Sequence, residues 1–161
     1  MAPRASKRKT MTEAVSLIRD GMRLALGGFG LYQHPMAFVR EMIRANKRDL
    51  TVVGITNGPE VDMLAGAGCL ARVETAHVGL ETFGLAPNYR REAEAGRIRV
   101  VDYPEIMSMD RFRASQDNFT FLPAYYLGGN DVLRYNPDIK ETACPLTGKK
   151  LVHPVKAYFA S

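Results

Sequence analysis

The sequence predicts an α/β protein: an open, mostly parallel sheet with helices on both faces. Three observations carry this. Short apolar runs alternate with amphipathic stretches over the first two thirds of the chain, the connections between them are short, and glycine or proline punctuates almost every junction. The run Leu50–Ile55 is apolar almost without interruption, which suits a parallel strand covered on both faces rather than one facing water.

The elements follow in order. Residues 11–19 place Ala14, Val15 and Ile18 on one helical face, and Leu24–Leu26 form a strand that enters the turn Gly27-Gly28-Phe29-Gly30. A helix opens at Pro35, a residue suited to the first helical position because its missing N–H has no partner there anyway. Met36, Val39 and Ile43, with Phe38 and Met42 beside them, form its apolar stripe, while Arg40, Glu41 and Arg44 face out. After Leu50–Ile55 comes the turn Thr56-Asn57-Gly58-Pro59, then a short helix carrying Val61, Leu64 and Ala65 and stopped by Gly66 and Gly68. Arg72–Val78 is the third strand. Asn88 is expected to cap a helix that Gly96 ends, Ile98–Asp102 is the fourth strand, and Pro104 starts a helix with Ile106, Met109 and Phe112 on a common side. From about Asp117 the pattern dissolves into loops, with a turn at Cys144-Pro145-Leu146-Thr147-Gly148 before the short run Leu151–Val155.

With 161 residues, 46% of them hydrophobic, the chain has the size of one compact domain. No apolar run approaches the ~20 residues of a membrane helix, and the first residues lack the apolar centre of a secretory signal, so the expected location is cytoplasmic, with no membrane partner. The net charge of +5 is largely a tail effect, since Arg4, Lys7, Arg8 and Lys9 supply four of the charges. Residues 1–10 read as a disordered basic arm, and residues 11–161 as the domain. The arm has no aromatic residue on which a base might stack, which argues against nucleic acid. Cys69 and Cys144 have neither metal-type spacing nor disulfide-scaffold density, and His34, His77 and His153 are too scattered for a ligand set; no metal is expected. Of the histidines, His34 reads as a helix-capping residue and His77 as a core or cleft-edge group.

In such a sheet, ligands sit at the carboxyl ends of the strands, and the turns at Gly27–Gly30, Asn57–Gly58 and Gly79–Gly84 all fall there. Glycines at 27, 28 and 30 permit backbone torsions and close approach that a β-carbon forbids, and free N–H groups at such a turn suit an anion or a developing oxyanion.

The run Asp20-Gly21-Met22-Arg23-Leu24-Ala25-Leu26-Gly27-Gly28-Phe29-Gly30 with Pro35 resembles the signature of the A subunits of class I coenzyme A transferases, the family of the glutaconate and 3-oxoacid CoA-transferases. The resemblance continues through Pro35–Arg40, Asp49–Gly54, Asp62–Leu64, Ala86–Arg91 and Phe121–Pro123, covering roughly residues 11 to 157. It implies a chain that works with a B subunit. That partner supplies the glutamate which forms an acyl-anhydride and then a glutamyl-CoA thioester, so the nucleophile is not expected here. It also implies that coenzyme A enters as a thioester substrate, with no permanently bound cofactor. Gly27, Gly28, Phe29 and Gly30, with Asn57 and Gly58, are then the candidate oxyanion or CoA-binding residues. Gln33 departs from the oxoacid pattern, where a glycine is common, and this favours a dicarboxylic or unusual acyl substrate. A-type chains of this kind carry further strands and helices after the segment resembling Leu151–Ala157, so the sequence reads as the N-terminal half to two thirds of such a chain.

Some proteins resembling these transferases instead hydrolyse a cyclic keto-acyl-CoA in steroid degradation or decarboxylate a glutaconyl-type CoA. In the hydrolases an acidic residue of the A-type chain assists, and the matching neighbourhood here is Asp102-Tyr103-Pro104-Glu105. Glu105 is therefore a candidate general base, against the simpler reading of a carboxylate favoured by a helix N-terminus; Glu60 stands in the same position. Arg90, Arg91, Arg97 and Arg99 offer charge to CoA phosphates or merely solvate a helix. A non-catalytic nucleotide- or sugar-phosphate-binding regulator on the same kind of sheet is the alternative of another class.

Overall fold

The computed structural model describes residues 7–126, 130–154, 156 and 157. Four strands form the main sheet: β1 (Arg23–Ala25), β2 (Leu50–Val53), β4 (Leu70–Thr75) and β6 (Arg99–Asp102), in the order β1-β2-β4-β6 and parallel throughout. Each step moves the same way across the sheet, so right-handed crossovers put the connecting helices on one face. These are α2 (Met36–Arg44), α3 (Pro59–Gly66) and α4 (Pro87–Glu94), with α1 (Met11–Ser16) against α2. Thr10 caps α1 in a reciprocal box with Glu13. The first six residues of the expected basic arm lie outside the described residues.

Register decides what each face carries. Leu24, Val52 and Val73 are lateral neighbours and meet Val39 and Met42 of α2 and Val61, Leu64 and Ala65 of α3 in the larger core. Each fully buried Val or Leu there contributes about 1.5–3 kcal/mol by leaving water. The opposite face carries Ala25, Val53, Glu74 and Val101. It is covered by α5 (Glu105–Gln116), whose Met107 packs with Tyr103, Val101, Ile139 and Val152 in a second core. Helices thus lie on both faces, with α1 to α4 on one and α5 on the other beside the second core.

The long predicted strands split. Leu50–Ile55 ends at Val53, and a separate pair, β3 (Thr56–Asn57) with β5 (His77–Val78), runs parallel beyond the carboxyl edge of the main sheet. Gly54 permits the break, because its Cα lies so close to the Asn57 side chain that a β-carbon would sit 2.0 Å from Asn57 Oδ1. Pro35 precedes α2 as its cap rather than occupying its first turn. Asn88 lies inside the first turn of α4 and is not the cap. Asp62, from α3, takes that part: its carboxylate accepts from Asn88 N at 2.7 Å, Tyr89 N at 2.9 Å and Asn88 Nδ2 at 2.8 Å.

The region read as loops holds a short helix, α6 (Val132–Tyr135), and an antiparallel hairpin of β7 (Ile139–Ala143) and β8 (Lys150–Pro154). The turn predicted at Cys144–Gly148 closes that hairpin, with Gly148 in the left-handed region.

Candidate active site

Three turns meet at the carboxyl edge. Gly30 N donates to Thr56 O at 3.0 Å, and Gly79 N donates to Asn57 O at 3.1 Å. Gly58 fits between the two, since a β-carbon on it would stand 2.1 Å from Gly30 O and 3.2 Å from Gly79 O. Gly58 is glycine because backbone from both neighbouring turns occupies the space of a side chain.

In front of this junction lies a cleft of about 240 Å³ lined by Ala25, Leu26, Gly27, Gly28, Phe29, Gly54, Ile55 and Phe112. Phe112 comes from α5, so the wall opposite the glycine turn belongs to the helix on the other face of the sheet. Among the candidate residues, Gly27, Gly28 and Phe29 line the cleft, whereas Gly30, Asn57 and Gly58 lie behind it and hold it together. The backbone donors sort the same way. Phe29 N is taken by Tyr32 O at 2.9 Å, Gly30 N by Thr56 O, and Gly58 N by Glu60. Gly27 N and Gly28 N have no hydrogen-bond partner among the described residues, and both residues are exposed. Two adjacent N–H groups with no partner among the described residues thus belong to residues that line the cleft.

Glu60 is fully buried. Its Oε1 accepts from Asn57 Nδ2 at 2.7 Å, its carboxylate accepts from Gly58 N at 3.1–3.2 Å, and His34 Nδ1 stands 3.1 Å from its Oε2. Asn57 Oδ1 in turn accepts from Thr75 Oγ1 at 2.6 Å. Glu60 faces its own turn and not the cleft. His34, expected as a helix cap, is instead an interior residue: its side chain is 1% exposed and its Nε2 lies 2.8 Å from Gly30 O. Its neighbour in sequence is proline, and nothing local distinguishes it from a surface histidine; only the packing of the turns does. Glu81 carried no local signal either, and Phe112 is legible in the sequence only as part of an apolar helix face. Glu81 packs its Oε1 against Gly30, where a β-carbon would be 2.1 Å away, and adopts a left-handed φ of 50°.

Glu105 is exposed in the first turn of α5, just past the carboxyl end of β6. Arg90 pairs with Glu94, while Arg91 and Arg97 both pair with Glu92. Two hydrogen-bonding guanidiniums, Arg97 first, hold the Glu92 carboxyl down at about 2. Arg97 and Arg99 lie at the amino end of β6, the opposite edge of the sheet from the glycine turn. His77, expected in the core or at the cleft edge, is exposed in β5 and is not among the cleft's described lining residues, because the strand ends before it and a separate short pair carries it outward. His153 lies against Phe121 with ring centroids 4.2 Å apart. No group of three or more His, Cys, Asp or Glu that might hold a metal is assembled among the described residues.

Under the sheet, behind the cleft, Glu74 is 1% exposed and receives three guanidiniums: Arg111 at 2.5 Å, Arg72 at 2.7 Å and Arg23. Arg72 also reaches Asp138 at 2.7 Å, and Arg111 stacks 3.9 Å over the Tyr103 ring. Burial alone raises the Glu74 carboxyl, but the guanidiniums, led by Arg111, outweigh it and leave it below the ordinary range. This node ties β1, β4 and α5 together and so fixes the Phe112 wall.

A family model described as coenzyme A transferase matches residues 8–122. The chain is 34% identical over 148 residues to the A subunit of the 3-oxoadipate CoA-transferase of Pseudomonas knackmussii, covering 88% of this chain and 51% of that protein. It is 34% identical over 139 residues to a cholesterol ring-cleaving hydrolase IpdA subunit of Rhodococcus jostii, covering 84% and 46%. The crystal structure of the decarboxylase AibA/AibB superposes with a TM-score of 0.85 at 31% identity, covering 92% of this chain and 57% of that one. The chain spans about half the length of each.

Proposed function

The chain belongs to the coenzyme A transferase family, and we propose that it serves as the A-type portion of an enzyme that moves CoA between an acyl-CoA and a carboxylic acid. The observation that carries this is the composition of the cleft. Gly27 and Gly28, whose N–H groups have no partner among the described residues, line a space whose described lining holds no Cys, Ser, Asp, Glu or His. Such a surface can bind a thioester carbonyl and stabilise the oxyanion that develops on it, but cannot attack it. We assign the attacking carboxylate to a partner, the B subunit. Its glutamate would form the anhydride and then the glutamyl-CoA thioester, with CoA as a substrate and no resident cofactor. The proposed location is cytoplasmic, and none of the described helices is long and apolar enough to cross a membrane.

The test is reconstitution. Purified chain mixed with a cognate B subunit should transfer CoA from an acyl-CoA to a carboxylate, and neither alone should do so. Strong transfer by this chain alone would overturn the assignment of the nucleophile to the partner.

A second reading, hydrolysis, is supported by two observations: Glu105 is an exposed carboxylate at the carboxyl edge, and the chain is 34% identical to a ring-cleaving hydrolase subunit, the same identity it has to the transferase. Glu105→Gln keeps size and most hydrogen bonding but removes the base. In the reconstituted complex we expect a loss of no more than about threefold; a loss of about a hundredfold with an unchanged melting temperature marks a general base and the hydrolase. A regulator would instead be stabilised by sugar phosphates and not by acyl-CoA.

A further inference from the structure

The described lining of the cleft carries no cation. Ala25, Leu26, Ile55 and Phe112 supply side chains to it, with Phe29 and the glycines, and none of these side chains holds a hydroxyl, an amide or a charge. The guanidiniums nearest in sequence belong to Arg23, in the same strand as Ala25, and to Arg111, next to Phe112 in α5. Both pair with Glu74, and the Arg111 side chain is fully buried there. Arg72 is shared between Glu74 and Asp138, so every cation of this node is already paired.

Size decides which part of a thioester enters. The cleft, at about 240 Å³, is smaller than the roughly 300–1,000 Å³ that a drug-sized ligand occupies, and coenzyme A is larger than such a ligand. The coenzyme stays at the mouth, and only the acyl group fits within. An aliphatic chain gains about fourfold in binding for each methylene it buries against apolar walls. A dicarboxylic acyl group brings an ionised distal carboxylate instead. With the backbone amides of Gly27 and Gly28 assigned to the thioester carbonyl, that charge would give up its water and find no side-chain donor in the described lining.

We infer that this cleft is the acyl-group site and that it selects an uncharged aliphatic acyl group over a dicarboxylic one, with Phe112 as the specificity-determining wall. The inference rests on the thioester reading proposed above. Gln33, whose departure from the oxoacid pattern favours a dicarboxylic substrate, is absent from the described lining. Its φ is 60°, in the left-handed region where glycine fits without strain, so the exchange at this position concerns the backbone and brings nothing to the cleft. Phe112 reaches the cleft from α5, whose place is set by the neighbouring Arg111 on Glu74.

Butyryl-CoA and succinyl-CoA form a matched pair, since both acyl groups have four carbons and differ in the distal carboxylate. Titration calorimetry of the chain with each, and with hexanoyl-CoA and free CoA, reads the site without any transfer. Butyryl-CoA should bind at least about tenfold tighter than succinyl-CoA. Hexanoyl-CoA, burying two more methylenes, should bind about tenfold tighter than butyryl-CoA. Phe112→Ala should abolish that gain, and Ala25→Lys, at an exposed position of the lining, should bring succinyl-CoA level with butyryl-CoA or ahead of it. Should Phe112→Ala fail to fold, Ala25→Lys and the wild-type ranking decide. Wild-type affinity for succinyl-CoA equal to or above that for butyryl-CoA overturns the inference, as does one affinity for every thioester and for free CoA alike. Where no thioester binds the free chain, the same ranking is read as kcat/KM in the complex with the B subunit. The expected ranking in a complex that transfers no CoA counts against the proposed function alone, and transfer with the opposite ranking counts against this inference alone.

Discussion

At the level of single residues, the glycines of the turn are not equivalent. Gly28 has φ 117°, and a β-carbon there would strike the His34 ring; Gly27 lies outside the left-handed region and has open space around it. Gly28→Ala should therefore destabilise the chain by about 1–3 kcal/mol through strain and overpacking, while Gly27→Ala should leave the melting temperature within about a degree. Chemical denaturation of the two variants checks this, and equal losses would refute the packing of His34 behind the turn. The cysteines differ as well. Burial pushes the Cys69 thiol up, whereas the Thr147 hydroxyl and the Leu146 and Thr147 backbone hold Cys144 down. A thiol-labelling time course read by mass spectrometry should modify Cys144 first, with Cys69 reacting only on unfolding.

Between elements, the chain relies on side chains that reach across. Asp62 on α3 supplies the N-terminal cap that α4 lacks locally, so Asp62→Ala should cost about 1–2 kcal/mol in urea denaturation, and Asp62→Asn less. Glu74 joins β4 to β1 and α5 through its three arginines. Removing its charge strands those guanidiniums, and Glu74→Gln should cost about 3 kcal/mol or more at neutral pH. The sign of the pH effect follows from its lowered folded-state value. A carboxyl depressed on folding contributes stability that is fully present above its unfolded value and is lost as pH falls through the folded one. Wild-type stability should thus decline below about pH 4, and Glu74→Gln should flatten that part of the profile. An unchanged acid limb in the variant would show that other carboxyls dominate.

Across the whole molecule, the sheet's carboxyl edge gathers turns widely separated in sequence into one cleft, and none of the described lining residues is basic. Arg90, Arg91 and Arg97 pair with Glu92 and Glu94 on the exposed side of α4 and the turn after it. Thr10 closes the α1 cap, so Thr10→Ala should cost about 1 kcal/mol in urea denaturation by removing the hydroxyl that accepts from Glu13 N.

The parallel α/β class, the apolar stripes of α1 to α3 and the glycine turn were legible in the sequence alone, whereas the face read for α5 was not. Ile106 and Met109 are exposed, and Met107, Arg111 and Ala114 are buried instead because the Glu74 node and the second core turn that side inward. The legible features rest on local physics: apolar periodicity, the fixed φ of proline, and the freedom of glycine at 27, 28 and 30. The family signature sits on those same residues. Tertiary structure alone decided which turn amides remain free, because the partners of Phe29 N and Gly30 N are carbonyls at Tyr32 and Thr56, fixed only once the turns pack. It also turned Glu60 away from the cleft, placed His34 in the interior rather than on a helix cap, made Asp62 the cap of α4, and folded the residues after Asp117 into a hairpin whose strands alternate too weakly to read. In each case the deciding contact joins residues whose only relation is that the sheet brings them together, and a pattern read along one chain carries no record of a neighbour supplied by another turn.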